Sequence, residues 1–254
     1  MKVMIFAAGL GTRLKPITDT LPKALVPVCG APLIEHVCRK LKASGMDEAV
    51  VNVHHFADKV RQWVDNQDIM TIQVSDEREC LLETGGAVLH ARRYLDGCGQ
   101  FLIHNVDILS DLDIPWLTSQ VNSDALATLL VSERKSSRQL LFDPGTMRLL
   151  GWHNLSTGEI RSPYADLDPD KCVSLAFSGI HVMSDAVFDV MERYVSTHGL
   201  SLSSQPARFP VMDFYLWACA GHDIYGVKAE HLELIDVGKL DTISQAEQYV
   251  SGMK

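Results

Sequence analysis

The chemistry-bearing residues of this 254-residue chain begin in one short run, Phe6-Ala7-Ala8-Gly9-Leu10-Gly11-Thr12-Arg13-Leu14-Lys15-Pro16. Glycine lets a backbone turn sharply and approach a ligand closely, and successive N–H groups in such a turn make a nest for an anion. Arg13 and Lys15 follow at once, and Lys23 comes after a proline-bounded loop. These cations add charge without becoming general bases. A dinucleotide cradle is disfavoured, because Leu14 stands where the third glycine of G-x-G-x-x-G belongs and Arg13 would crowd the pyrophosphate. The Walker pattern G-x-x-x-x-G-K-[ST] is absent too. What remains is a triphosphate grip or a solvated turn, and a lone G-x-G does not separate them.

The elements that must carry this loop read as α/β. Val3 to Ala8 is a continuous apolar run, as in a strand buried on both faces. Glycines just past its C-terminal end lie where open parallel sheets bind ligands. Pro32 to Ser44 reads as a helix with Leu33, Ile34, Val37 and Leu41 on one face and Gly45 to end it. Strands at Ala49 to Val53, Met70 to Val74 and Phe101 to Ile103 alternate with helices at Ala57 to Val64 and Gly86 to Tyr94. That rhythm predicts a mostly parallel sheet in a three-layer, Rossmann-like arrangement. After about Leu126 it gives way to strands at 126–131, 139–142, 149–152 and 175–182, a β-rich part expected to pack beside the sheet. Helices are expected at Ala186 to Tyr194 and Val211 to Ala220, and a strand at His231 to Asp236. Thr242-Ile243-Ser244-Gln245 has capping-box spacing and should open a terminal helix.

Bulk properties narrow the class. A formal net charge of −9 argues against nucleic-acid binding, so an anionic ligand must be held by local cations, N–H groups or a metal. The six cysteines are scattered without metal-ligand spacing, and no leader-like or membrane-length apolar run is present. A reducing cytoplasm and no membrane partner are therefore expected.

The longer pattern is more specific. G-L-G-T-R-L-K-P followed by L-P-K-A-L-V-P-V, within Ala7 to Val28, resembles the signature of the nucleoside-diphosphate-sugar pyrophosphorylases, nucleotidyltransferases acting on sugar 1-phosphates. Further segments resemble that family in order: Leu82-Glu83-Thr84-Gly85-Gly86-Ala87 against the base, Asn105-Val106-Asp107 at the metal, Phe177-Ser178-Gly179-Ile180 at the sugar, and Ile235-Asp236-Val237-Gly238 at a second metal carboxylate. The nearest look is of short N-acetylmuramate 1-phosphate uridylyltransferases, then of short mannose 1-phosphate guanylyltransferases. The resemblance implies the nucleotide-diphospho-sugar transferase fold in one domain over 1–254, with 1–125 binding nucleotide and 126–254 binding sugar phosphate.

It also implies roles. Asp107 and Asp236 would hold Mg²⁺, which prefers oxygen ligands and keeps phosphate oxygens in its shell. Arg13 would grip the β- and γ-phosphates, and Lys23 would neutralise the reacting ones. Ala8, Gly9, Gly11, Thr12, Glu83, Thr84, Gly85 and Asn105 complete the expected nucleotide site, with backbone at Gly11 and Gly85 nearest the ligand. Thr84 could equally cap its own helix. Phe177, Ser178 and Gly179 are the expected sugar contacts, with Arg161 and Trp152 as further candidates. Partners would be a nucleoside triphosphate and a sugar 1-phosphate, with no indication of oligomeric state.

Two departures bear on this. Val106 replaces the usual glycine, and its branched side chain disfavours positive φ. Lys239 stands where many relatives have threonine. By the same resemblance Ala8 leans toward a pyrimidine nucleotide, since the guanylyl enzymes more often show Gly-Gly there. Alternatives are GTP with a mannose or heptose 1-phosphate, cytidylyl transfer to a phospho-alcohol, and a nucleotide-binding regulator without catalysis. His54 and His55 lack partners for a zinc site. His181 and His231 read as satisfied structural histidines, and Trp63, Trp116 and Trp217 as core.

Overall fold

The computed structural model describes residues 1–200 and 206–252. Among these, the first half runs β1 (Lys2–Phe6), β2 (Pro27–Val28), β3 (Ala31–Pro32), α1 (Leu33–Ala43), β4 (Glu48–Val53), α2 (Ala57–Asn66), β5 (Thr71–Asp76), α3 (Glu83–His90), α4 (Arg92–Leu95), β6 (Gln100–Asn105), β7 (Ile108–Ser110) and α5 (Ile114–Ser119). The second half adds β8 (Ala127–Ser132), β9 (Arg138–Phe142), β10 (Leu149–Asn154), β11 (Glu159–Arg161), β12 (Val173–Ser184), α6 (Val187–Thr197), α7 (Val211–Ala218), β13 (Ile224–Lys228), β14 (Leu234–Asp236) and α8 (Leu240–Gly252). None of the described helices is long and apolar enough to cross a membrane.

The chain forms two compact units, each drawn from separate stretches of the sequence. The first comprises Met1–Leu81, Ile103–Ile114 and Glu233–Lys254; the second comprises Leu82–Leu102 and Pro115–Leu232.

In the first unit β1 pairs with β4 and β4 with β5, all parallel. Val3, Met4 and Ile5 are wholly buried, which is why this strand reads as an unbroken apolar run. In α1 the buried positions are Leu33, Ile34, Val37, Cys38 and Leu41, a single stripe. Gly45 follows at φ +81°, the left-handed step that ends the helix. A second core of Leu14, Val26, Val28, Leu33, Leu109, Val237 and Ala246 joins the glycine loop to α1, β7, β14 and α8. β14 runs antiparallel to β7.

The second unit is mainly antiparallel. β11 pairs with β10, β10 with β9, β9 with β12 and β12 with β8, all antiparallel, and β13 pairs with β8 in parallel. Helices α3, α6 and α7 pack on one another. Tyr194, Phe209 and Phe214 fill their junction, with the Tyr194 ring 5.1 Å from Phe209 and 5.7 Å from Phe214.

Several expectations are corrected. The helix expected at Gly86 to Tyr94 is two helices, α3 starting at Glu83 and a short α4. The strand expected from His231 begins at Leu234, so His231 lies outside it and is exposed. Thr242 does not cap α8 from outside: the helix opens at Leu240, and the Thr242 hydroxyl reaches back to the N–H (3.2 Å) and carbonyl (2.7 Å) of Lys239. Trp63, Trp116 and Trp217 are half-buried rather than core.

Candidate active site

The glycine loop leaves β1 under tight control. Ala7 N–H donates to Asn52 Oδ1 at 2.8 Å, and Asn52 Nδ2 donates to Glu77 Oε1 at 2.8 Å, both in buried surroundings. This relay fixes where the loop starts. Gly11 then adopts φ +64°, and a Cβ there would lie 2.8 Å from Thr18 Cγ2. Gly11 is thus required by the turn and by the packing of Thr18, whose hydroxyl donates to the Gly11 carbonyl at 2.8 Å. Gly9 differs: a Cβ there would meet nothing within 4 Å. Thr12 and Arg13 are exposed, whereas Ala8 and Leu14 are buried.

Four charged residues meet in this unit. Lys23, only 9% exposed, forms an ion pair with Asp107. Asp107 follows the end of β6, where Val106 N–H donates to Phe6 O at 3.1 Å and ties that turn to β1. Asp236 ends β14 opposite Ile108, and the next N–H, of Val237, donates to Asp107 O at 2.8 Å. The two aspartates are therefore neighbours although 129 positions separate them in the chain. Arg13 closes the group: a Cβ on Gly238 would lie 2.7 Å from Arg13 Nη2 and 2.7 Å from Asp236 Oδ1. Glycine at 238 lets guanidinium and carboxylate share that space.

Each charge stands beside a buried apolar residue. Leu14, Ala24 and Val237 are fully buried and Val106 nearly so, next to Arg13, Lys23, Asp236 and Asp107 respectively. Apolar packing thereby positions the polar groups. Val106 is accommodated because its φ is not positive. Lys15 pairs with Asp19 at 3.1 Å on the exposed surface, and Lys239 is exposed.

The expected base contacts at Glu83 to Gly85 and sugar contacts at Phe177 to Gly179 belong to the second unit. Gly85 and Gly86 N–H both donate to Phe209 O, at 2.9 and 3.1 Å. A Cβ on Gly85 would fall 2.4 Å from the Phe209 ring. One close approach that requires Gly85 is therefore to Phe209. Thr84 accepts from Val211 N–H at 2.9 Å, capping α7 rather than its own helix. Glu83, at the strained φ of +60°, accepts from Arg208 Nε at 3.0 Å. Ser178, also expected at the sugar, is 1% exposed and donates to Leu130 O at 2.8 Å. Gly179 has φ +79°, where the β12–β8 register shifts. The half-buried Phe177 lies 5.3 Å from His181 between ring centroids. Arg161 donates to Asp213 at 2.7 Å and covers Trp152, so both are engaged within the unit.

His181 is not a satisfied structural histidine. It is 1% exposed, neither ring nitrogen has a hydrogen-bond partner, and burial pushes its pKa down to about 3. His104 is buried as well; its Nδ1 donates to Asn105 O at 2.8 Å, and burial lowers it to about 4. Asn105 itself is half-buried. His54 Nδ1 donates to Glu77 O at 2.7 Å.

A family model described as Nucleotidyl transferase matches residues 2–139, just over half of the chain. The chain belongs to the nucleotidyl transferase family. Within the family it is 36% identical over 188 residues to the N-acetylmuramate alpha-1-phosphate uridylyltransferase of Caulobacter vibrioides, covering 70% of this chain and 73% of that protein. It is also 36% identical over 118 residues to the probable mannose-1-phosphate guanylyltransferase 2 of Arabidopsis thaliana, covering 44% of this chain and 32% of that one. Among solved structures, the inositol-1-phosphate CTP transferase of T. maritima superposes with a TM-score of 0.75 over 100% of this chain and 96% of its own, at 16% identity, a likeness of fold. The α/β fold read from the sequence is the one these nucleotidyltransferases share.

Asn52 and Glu77 were not among the expected site residues. Their signal was a lone amide within the apolar run Val50-Val51-Asn52-Val53, but its partner cannot be read from spacing.

Proposed function

We propose that this chain transfers a nucleotidyl group, uridylyl in first place, from a nucleoside triphosphate to a sugar 1-phosphate. A phosphate oxygen of the sugar attacks the α-phosphorus, and the bond to the departing pyrophosphate breaks. The observation that carries the reading is the meeting of Arg13, Lys23, Asp107 and Asp236 around the glycine turn. Joining two anions demands charge neutralisation and alignment more than covalent help from the protein. Arg13, exposed beside the loop, is suited to the β- and γ-phosphates and to pyrophosphate as it leaves. Lys23 has a carboxylate as its counter-ion, and turning toward phosphate means giving up Asp107.

Asp107 and Asp236 fit magnesium. They are oxygen donors on adjoining backbone, and two carboxylates plus substrate phosphates are a common magnesium set. Among the described residues no cluster of three or more His, Cys, Asp or Glu could hold a metal by itself, which suits an ion shared with the triphosphate. Bound there, magnesium would polarise the α-phosphate and template both substrates.

The Caulobacter relative's name makes N-acetylmuramate 1-phosphate with UTP the first pair to try, and a cytoplasmic role in cell-wall recycling is part of the same proposal. The guanylyltransferase likeness makes GTP with mannose 1-phosphate the second. Pyrophosphate release over a grid of triphosphates and sugar 1-phosphates with Mg²⁺ tests the reading. Turnover with UTP, lost on chelation, is expected; release with no pair at all would overturn it in favour of a non-catalytic nucleotide-binding protein.

A further inference from the structure

A cavity of about 250 Å³ opens in the first unit between α1, the β6–β7 strands and α8. Its polar lining consists of Lys40, Ser110, His104, Tyr249 and His36, and Val37 is among its apolar walls. Lys40 is half-buried, and its ammonium donates to Ser110 O at 2.8 Å. No carboxylate among the described residues is in ion-pair range of it; Asp111 and Asp113 act only through their charge, against the lowering of its pKa by burial. Ser110 is 3% exposed, and its hydroxyl has no hydrogen-bond partner. Neither has the buried hydroxyl of Tyr249. His36 is already used, its Nε2 donating to Val28 O at 2.8 Å.

The residues around this one space thus include an ammonium without a counter-ion, bonded to a neutral carbonyl, and two buried hydroxyls without a partner. Buried polar groups left so cost free energy that a ligand of matching chemistry recovers. The apolar wall asks for a hydrocarbon body. At this volume, below the roughly 300 Å³ where sites for drug-sized ligands begin, a nucleotide is too large. We propose that the cavity binds a small organic carboxylate with an apolar body, its carboxylate taken by Lys40, Ser110 and Tyr249. His104 and Ser110 lie on the two strands that flank Asp107, so occupancy is felt at that turn; this second part rests on the nucleotidyl-transfer reading.

The test is titration of the full chain with benzoate, with benzamide and benzylamine as neutral and cationic counterparts, followed by amide NMR shifts and calorimetry. Saturable benzoate binding with shifts at Lys40, Ser110 and Tyr249 is expected, with benzamide at least about tenfold weaker, the size of one charge-assisted hydrogen bond. Lys40→Met, which keeps the apolar stem, and Tyr249→Phe should each weaken benzoate while leaving the melting temperature near that of the parent. Equal binding of all three probes, benzoate binding indifferent to Lys40→Met, or no saturable binding would overturn the site. Adding UTP and Mg²⁺ should change the benzoate affinity, since coupling between sites is reciprocal. An unchanged affinity in a protein that demonstrably binds UTP would overturn the link to Asp107, whereas absence of UTP binding would count against the transferase reading alone.

Discussion

The two units use the same kinds of residue to opposite ends. In the first, Gly9 faces open space, Arg13 is exposed, and Lys23 and Asp107 hold each other in an ion pair. In the second, Gly85 is packed on Phe209, Thr84 caps α7, and Ser178 is spent on Leu130. Motif membership alone does not tell a ligand contact from a packing contact. What separates them is whether the polar atom or the missing Cβ already has a protein neighbour.

The largest effects should come from the aspartates. Asp236→Asn, at an exposed position, is expected to lower kcat by about 10²-fold or more with little change in melting temperature. Asp107→Asn should lose turnover and also stability, because Lys23 would be left as a buried, uncompensated charge, a cost of about 3–5 kcal/mol for such pairs. Equal stability of the two variants in urea would break the distinction between a buried ion pair and an exposed carboxylate.

Acid should affect both units. His104 and His181 are held neutral by burial, with pKa values near 4 and 3 against an ordinary value of 6.5. Their folded values are depressed, so the unfolded chain binds the proton first. Stability from this source is full above about pH 6.5 and is lost as pH falls toward those values. Urea midpoints should therefore decline through that window by an amount worth several kcal/mol. A flat midpoint from pH 7 to 5 would show that neither ring is buried as described.

Gly85→Ala sharpens the contrast next. The new methyl would collide with Phe209, costing about 1–3 kcal/mol as overpacking does. Kinetic constants of the surviving folded protein should be near normal. Gly9→Ala should do the reverse, with stability within about 0.5 kcal/mol of the parent and a raised KM for the triphosphate. Ser178→Ala should cost about 1 kcal/mol from one lost hydrogen bond, without any change in kinetic constants, including KM for the sugar phosphate. A selective rise in that KM would return Ser178 to the substrate site.

Much of the fold was legible because burial repeats locally. The apolar run of β1, the stripe of α1 and the ending at Gly45 are patterns that neighbouring residues impose on one another. Where the reading slipped, a side chain had found a partner that the local pattern did not name, distant for Thr84 and one turn back for Thr242. Thr84 caps a helix 127 residues away, and α8 opens at Leu240, not at the apparent capping box. Asn52 was visible as an oddity, but Glu77 and the Ala7 N–H that give it meaning were not.

The amino-acid sequence by itself determined that a glycine turn with attendant cations follows an apolar strand, and that carboxylates exist further along. It could do so because turn-forming glycine, fixed charge and strand periodicity are properties of short segments. Only the tertiary structure decided that Asp107 and Asp236 adjoin, that Lys23 is the counter-ion of one, and that Arg13 lies over Gly238 beside the other. Those pairings follow from the shared packing of Leu14, Leu109 and Val237, and contacts between residues so far apart exist only once the intervening chain has folded.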